Sequence, residues 1–369
     1  MFDLETLIRP NIRAMRPYSS ARDEFTGAAQ VMLDANENSL GSAGPVAFNR
    51  YPDPHQRAVK AALAPLKGLE SSQIFLGNGS DEAIDLLVRL SCRPGQDSVL
   101  LVPPTYGMYE VAANLNDVAV ERVPLTADFQ LDEAGLTRIG QSAARLVFLC
   151  SPNNPSGNLL VSAAIERVLR TFRGLVVLDE AYADFAATPS WTTRLAEFPN
   201  LVVLQTFSKA WGLAALRLGM AFASAELIGY LNKIKPPYNI SETTQRHALT
   251  ALADQPRFAA LREQLVASRQ LLAAALSQLA LVERVFPSDT NFLLVRFRPD
   301  ATAVYEHLLT RGIVVRNRTT QAGCAGCLRL TVGTEAENEL LLAALATFES
   351  APTTAATREV SPTGLSLTV

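Results

Sequence analysis

The chain has 369 residues, a formal net charge of −3, and 48% hydrophobic and 19% charged residues. That length supports a large core and two domains, and the weakly acidic balance gives no electrostatic footprint for nucleic acid or an anionic membrane. Charged residues interrupt every long apolar stretch, and the opening Met1-Phe-Asp-Leu-Glu5 lacks the basic-then-apolar pattern of an export signal, so a cytoplasmic protein without a membrane span is expected.

In chain order, a helix-like segment from about Leu4 to Met15 comes first, followed by the stretch Asp34 to Asn38. Both are expected to belong with the C-terminal part. The run Leu76-Gly77-Asn78-Gly79-Ser80-Asp81-Glu82 then leads into the largely apolar Ala83 to Leu90, whose charges Asp85 and Arg89 fall four apart, as on one helix face. Ser80 is a plausible N-cap and Glu82 suits the first turn. Glycines followed by a helix start also let backbone amides approach an anion, so Gly79, Ser80 and Asp81 are candidate phosphate binders. A capped helix after a glycine turn would read the same way.

Three uninterrupted apolar runs follow: Arg145 to Cys150, Leu175 to Leu178 and Leu201 to Leu204. Short branched runs of this kind predict strands buried on both faces of a parallel sheet, and Ser162 to Arg173 is long enough for a crossover helix. Each run gives way at once to polar residues: Ser151 to Asn154, Asp179-Glu180, and Gln205 to Lys209. Ligands of open α/β sheets bind beyond the carboxyl ends of the strands, so Asn154, Asp179 and Lys209 should share one crevice. Thr206-Phe207-Ser208-Lys209, with Arg217 eight residues on and Asp179-Glu180-Ala181-Tyr182 upstream, is the most informative pattern in the chain. It offers an amine for a Schiff base, a serine and an arginine for a phosphate, and a carboxylate beside a phenol. Pyridoxal phosphate needs those groups from a protein. Lys209 would bond the cofactor and later move the α-proton, and Asp179 would keep the pyridine nitrogen protonated. Tyr182 and Asn154 would hydrogen-bond the ring oxygen, and Ser208 and Arg217 would hold the phosphate.

Two prolines in Lys233 to Tyr238 mark the exit from a larger α/β domain expected over 45–240. Ser241 to Ala280 reads as one long helical stretch. Thr290 to Phe297, Gly312 to Arg316 and Cys327 to Val332 read as strands of a smaller α/β domain, formed by 241–349 with 1–44. The small, polar, proline-containing segment 350–369 is expected to be a poorly ordered tail. Four cysteines suggest a reducing compartment. Cys324-Ala-Gly-Cys327 has no second pair, and only His55, His247 and His307 are present, so ordinary thiols and no metal are expected.

Several segments carry a resemblance. They include Pro17 to Arg22, Leu33-Asp-Ala-Asn-Glu-Asn38, Arg50-Tyr-Pro-Asp53, Pro103 to Tyr109, Ser151-Pro-Asn-Asn-Pro-Ser-Gly157 and Cys327-Leu-Arg-Leu-Thr-Val-Gly-Thr334. From about Asn11 to Leu345 the chain resembles the fold-type I pyridoxal-phosphate enzymes, and specifically the histidinol-phosphate aminotransferases. The resemblance implies a mostly parallel sheet with helices on both faces, a smaller α/β domain, and a homodimer. It implies that Tyr106 stacks over the cofactor ring, that Tyr51 reaches the cofactor phosphate of a neighbouring subunit, and that Arg329 pins a substrate carboxylate. Tyr18 and Arg316 (or its neighbour Arg318) would lie near the substrate phosphate, and Asn36 would line the entrance. The family's Lys-Ala-Phe-Gly-Leu-Ala-Gly-Leu-Arg stands here as Lys209-Ala-Trp-Gly-Leu-Ala-Ala-Leu-Arg217, with Trp211 and Ala215 as departures. The implied reaction is transamination between histidinol phosphate and 2-oxoglutarate, a step of histidine biosynthesis. An aromatic amino-acid aminotransferase, a phosphothreonine decarboxylase or a non-catalytic module would fit the same scaffold.

Overall fold

The computed structural model describes residues 2–19, 30–298 and 300–348. The tail 350–369 and Ser20 to Arg22 lie outside them. Among the described residues eleven strands form two sheets. β1 (Ile74–Asn78), β2 (Ser98–Leu101), β3 (Ala119–Arg122), β4 (Leu146–Cys150), β5 (Leu175–Asp179), β6 (Leu201–Thr206) and β7 (Leu218–Phe222) make the first, in the order β1-β7-β6-β5-β4-β2-β3. The β3-β2-β4-β5-β6 pairings are parallel, and β7 runs antiparallel between β6 and β1.

The three predicted strands are the centre of this sheet, and every residue of β4, β5 and β6 is buried. Their side chains alternate between two cores. Val147, Leu149, Val176, Leu178 and Val203 join one, while Leu146, Phe148, Val177, Val202 and Leu204 join the other. A strand with both faces covered must be apolar at every position, which explains the uninterrupted runs. The fold is therefore α/β, with a mostly parallel sheet between helical layers.

Among the described residues the α-helices are α1 (Leu4–Leu7), α2 (Pro10–Ala14), α3 (Arg57–Lys67), α4 (Gly79–Ser91), α5 (Met108–Leu115), α6 (Glu133–Gln141), α7 (Ser162–Thr171), α8 (Ala225–Ile234), α9 (Glu242–Ala253), α10 (Gln255–Leu276), α11 (Ala301–Thr310) and α12 (Glu335–Ala346). Here α7 is the predicted crossover helix. The helix predicted after the glycine turn is α4, carrying the Arg89–Asp85 ion pair at 2.8 Å, but its N-cap is Asn78 and Ser80 sits inside the first turn.

Two helical expectations are corrected. Leu4 to Met15 is two short helices, because Pro10 has no N–H to donate and Arg9 before it is extended (ψ 133°). They do not join the C-terminal part: Leu4, Leu7, Ile8 and Ile12 are buried with Leu87, Leu90 and Leu231 against the first sheet. Arg145 fixes this arrangement by donating from Nη2 to the Thr6 and Leu7 carbonyls. The stretch 241–280 breaks at Asp254, whose Oδ1 accepts from the Arg257 amide and caps α10, with Pro256 in its first turn.

The second sheet is antiparallel, in the order β10-β11-β9-β8: β8 (Val282–Val285), β9 (Phe292–Phe297), β10 (Arg316–Asn317) and β11 (Cys327–Thr331). Of the predicted Gly312 to Arg316 region only Arg316 pairs, together with Asn317 beyond it, and the Val-Glu-Arg-Val sequence of β8 carries no strand signal of its own. Leu272, Leu276, Val304, Leu308, Leu341 and Leu345 of α10, α11 and α12 cover one face. The Ser151–Gly157 loop meets this unit directly. The Asp289 amide donates to the Gly157 carbonyl at 2.7 Å, and a Cβ at Gly157 would collide with Ser288 Oγ.

Candidate active site

The carboxyl ends of β4, β5 and β6 open into a cleft of about 520 Å³, closed on its other side by β10, β11 and the turn between them. Gly79, Ser80, Asp81, Tyr106, Asn154, Asp179, Tyr182, Ser208, Lys209, Arg217, Arg316 and Arg329 all line it. Tyr18, Asn36 and Tyr51 do not. Tyr18 and Tyr51 are 73% and 52% exposed, and Tyr51 stacks on Tyr238 with ring centroids 4.4 Å apart.

Asp179 ends β5 and is almost wholly buried. Its Oδ2 accepts from the Tyr109 hydroxyl at 2.6 Å and its Oδ1 from the Ala181 amide at 3.0 Å. Burial pushes the carboxyl above the usual carboxylate range, and these two donors pull it back. Tyr109 stacks on Phe148 at 4.7 Å and is fully buried, and nothing in the sequence reading assigned it a role. Its signal was the Tyr106-x-x-Tyr109 spacing, which on α5 and the turn before it sends one phenol into the cleft and the other beneath it.

The Lys209 ammonium sits over the Tyr182 ring, 5.5 Å from its centroid. Burial, and then the positive charge of Arg329, lower its pKa, while Asp179 opposes them. A depressed amine is more often neutral, as a nucleophile or base must be. Burial raises the Tyr182 and Tyr106 phenols, so both are protonated donors. Tyr106 donates to Asp81 Oδ1 at 3.1 Å, and Arg217 reaches Asp81 Oδ2 at 3.5 Å.

One end of the cleft suits a phosphate. By helix geometry the Ser80 and Asp81 amides have no partner within α4. Gly79 is held at φ +70°, a backbone that favours glycine, and an added Cβ would lie 2.8 Å from Arg217 Nη2, so the guanidinium would have to shift. The departures from the family pattern spare this end. Ala215 is exposed, and Trp211 stacks on Phe258 of α10 at 3.9 Å.

The opposite wall is cationic. Arg329 donates from Nη1 to Asn154 Oδ1 at 2.6 Å and lies over the Phe292 ring. Arg316 and Arg318 complete it, with Gln321 and the buried, unpartnered Thr105 hydroxyl nearby. Arg318 therefore joins Arg316 in the cleft rather than replacing it. Cys92, Cys150, Cys324 and Cys327 are free and buried, and burial pushes Cys324 up to about 12. Among the described residues no cluster of three or more acids, histidines or cysteines is arranged to hold a metal, and no helix is long and apolar enough to cross a membrane.

A suppressed amine, a buried carboxylate, an amide and a glycine-cradled arginine together fit pyridoxal 5'-phosphate. The family model for aminotransferase class I and II matches residues 24–345. A histidinol-phosphate aminotransferase of Parabacteroides distasonis is 52% identical over 94% of this chain and 99% of that protein. The crystal structure of the Sinorhizobium meliloti histidinol-phosphate aminotransferase in complex with pyridoxal-5'-phosphate superposes with a TM-score of 0.75 and 29% identity, covering 85% of this chain and 88% of that one. An L-threonine-O-3-phosphate decarboxylase from Porphyromonas gingivalis is similar at a TM-score of 0.70 and 25% identity, over 81% and 90% of the two chains. A site built for an amine-bonded cofactor, under a sequence half shared with such enzymes over nearly its full length, places this chain in the aminotransferase class I and II family, among the histidinol-phosphate aminotransferases.

Proposed function

We propose that the chain is a pyridoxal-phosphate-dependent transaminase that exchanges the amino group of L-histidinol phosphate with 2-oxoglutarate, giving imidazole-acetol phosphate and glutamate in histidine biosynthesis. The observation that carries this reading is the meeting, in one cleft, of the Lys209 amine, the Asp179 carboxylate and a wall of arginines. Pyridoxal 5'-phosphate, when bound, supplies an electron sink for the pair left as a proton leaves the carbon bearing the amine. Lys209 would hold it covalently. Gly79, Ser80, Asp81, Ser208 and Arg217 would hold its phosphate, Asp179 its ring nitrogen, Asn154 and Tyr182 its ring oxygen, and Tyr106 its face.

The residues then divide the work. Lys209 Nζ, whose pKa burial and Arg329 both lower, takes the proton from the substrate carbon and returns it. Asp179, whose carboxyl accepts from Tyr109, would keep a proton on the ring nitrogen it pairs with. Arg329 and Arg316 hold the substrate phosphate in one half-reaction and a glutamate carboxylate in the other, since guanidinium accepts either anion. Tyr18 and Asn36 would approach the substrate from the entrance. Tyr51 would act across a homodimer, consistent with its exposure, in a cytoplasmic enzyme. Two domains, one on each sheet, would meet at the cleft.

The likeness to a phosphothreonine decarboxylase keeps that reaction as a second reading, because its substrate presents the same anions. Single-turnover spectra of the purified holoenzyme with histidinol phosphate, phenylalanine and phosphothreonine decide between them. Fastest conversion of histidinol phosphate is expected, and release of carbon dioxide from phosphothreonine would instead select the decarboxylase.

A further inference from the structure

β10 and β11 pair antiparallel, with Arg316 directly opposite Arg329. The ladder continues past β10, because the Arg318 amide donates to the Cys327 carbonyl at 3.0 Å. With a side-chain period of two, Arg316, Arg318 and Arg329 share one face, and all three line the cleft. Like charges directly opposite each other destabilise a sheet. Elsewhere in this unit the cost is avoided: Arg284 lies 3.3 Å from Asp128, and Arg296 and Arg298 lie within 4.0 Å of Glu283. Arg316, Arg318 and Arg329 have no carboxylate partner among the described residues, and the Nε atoms of Arg318 and Arg329 are buried without an acceptor. Burial, Arg329 and Arg316 all work against the charge on Arg318.

The turn that carries Arg318 is nonetheless fixed. The Gln321 amide donates to the Arg318 carbonyl at 2.9 Å and the Cys324 amide to the Gln321 carbonyl at 3.0 Å, while Cys324 and Cys327 anchor the turn in a small apolar cluster. Three guanidiniums that share one face and line one cleft repel one another, and a bound anion would offset that repulsion. A carboxylate offers two oxygens and a single charge to these donors, whereas a phosphate monoester offers three terminal oxygens and up to two charges, and so can engage one guanidinium more.

We infer that Arg318 is a specificity-determining residue, the additional guanidinium that makes this wall select a substrate ending in phosphate over one without it. The inference deepens the transaminase reading and rests on it for the identity of the substrate. Arg318→Gln and Arg318→Lys test it on the holoenzyme, by titration with inorganic phosphate and by the ratio of kcat/KM for histidinol phosphate to that for histidinol. For Arg318→Gln the phosphate affinity and the ratio should each fall by about tenfold or more, and Arg318→Lys, which keeps the charge but not the fork, should fall between. Phosphate binding within about twofold of wild type, or equal losses on both substrates, would overturn the inference. Should Arg318→Gln fail to fold with cofactor bound, Arg318→Lys decides by the phosphate titration. If the wild-type enzyme does not turn over histidinol phosphate, the substrate reading fails, while the phosphate titration still judges Arg318.

Discussion

The two walls of the cleft follow opposite electrostatic rules. On the first-sheet wall the acids are satisfied in advance: Asp179 by Tyr109 and the Ala181 amide, Asp81 by Tyr106 and Arg217. On the second-sheet wall Arg316, Arg318 and Arg329 share little beyond the Asn154 oxygen and the Phe292 ring. A wall that keeps one occupant can be finished in the fold, whereas a wall that admits and releases anions must leave its charges waiting. The second arrangement costs stability and gains selectivity. Asn154 joins the two walls: it comes from the loop after β4 and accepts from β11.

The largest test of this division is Lys209→Ala. Removing the amine should abolish the visible absorbance of the lysine-bound cofactor and cut multiple turnover by more than about 10³-fold. A variant that still turns over at the wild-type rate would remove Lys209 from the chemistry. On the other wall, Arg329→Ala forfeits a charge-assisted contact worth about 1.5–3 kcal/mol, or roughly 10- to 150-fold in kcat/KM, for both substrates. It should also act at a distance. Arg329 is the second-largest cause of the depressed Lys209 amine, so its loss raises that pKa. Less neutral amine is then present at neutral pH, and the pH profile for attachment of added cofactor to the apoprotein should move upward. An unmoved profile would mean that the two walls are electrostatically independent.

Gly79→Ala probes the finished wall without removing a functional group. The left-handed backbone there costs a side chain about 1–2 kcal/mol, and the new methyl meets Arg217 Nη2 at 2.8 Å. Cofactor affinity, measured by equilibrium release, should weaken roughly tenfold. Unchanged affinity would place the phosphate away from the start of α4.

How much of this could be read from the sequence depended on burial. β4, β5 and β6 were legible because strands covered on both faces have no polar positions, and their ends delivered Asn154, Asp179 and Lys209 to one place. β8 was not legible, since Val-Glu-Arg-Val at an edge carries too little apolar signal. The break at Asp254 was written in Asp-Gln-Pro but was masked by helix-favouring residues on both sides. Arg318 was visible as a neighbour of Arg316. The register that sets both of them on the face of Arg329 belongs to pairing across the sheet, which one strand cannot reveal. The N-terminal helices were misassigned because their spacing fixes an apolar face but not the surface that receives it.

The smallest predicted effect, on Tyr109, tests whether the first-sheet wall is as finished as its hydrogen bonds suggest. Tyr109→Phe keeps the ring, its stacking on Phe148 and its volume, and removes only the donor to Asp179 Oδ2. Burial already raises the Asp179 carboxyl, and the tyrosine hydroxyl is the largest influence lowering it, so the variant raises it further. A carboxylate is charged only above its pKa, so the acid limb of kcat/KM should move to higher pH, with a loss of about tenfold near that limb and less on the alkaline side. Loss of packing alone would lower the whole profile evenly. A displaced limb would instead identify Tyr109 as the group that keeps Asp179 ionised, 70 residues away along the chain.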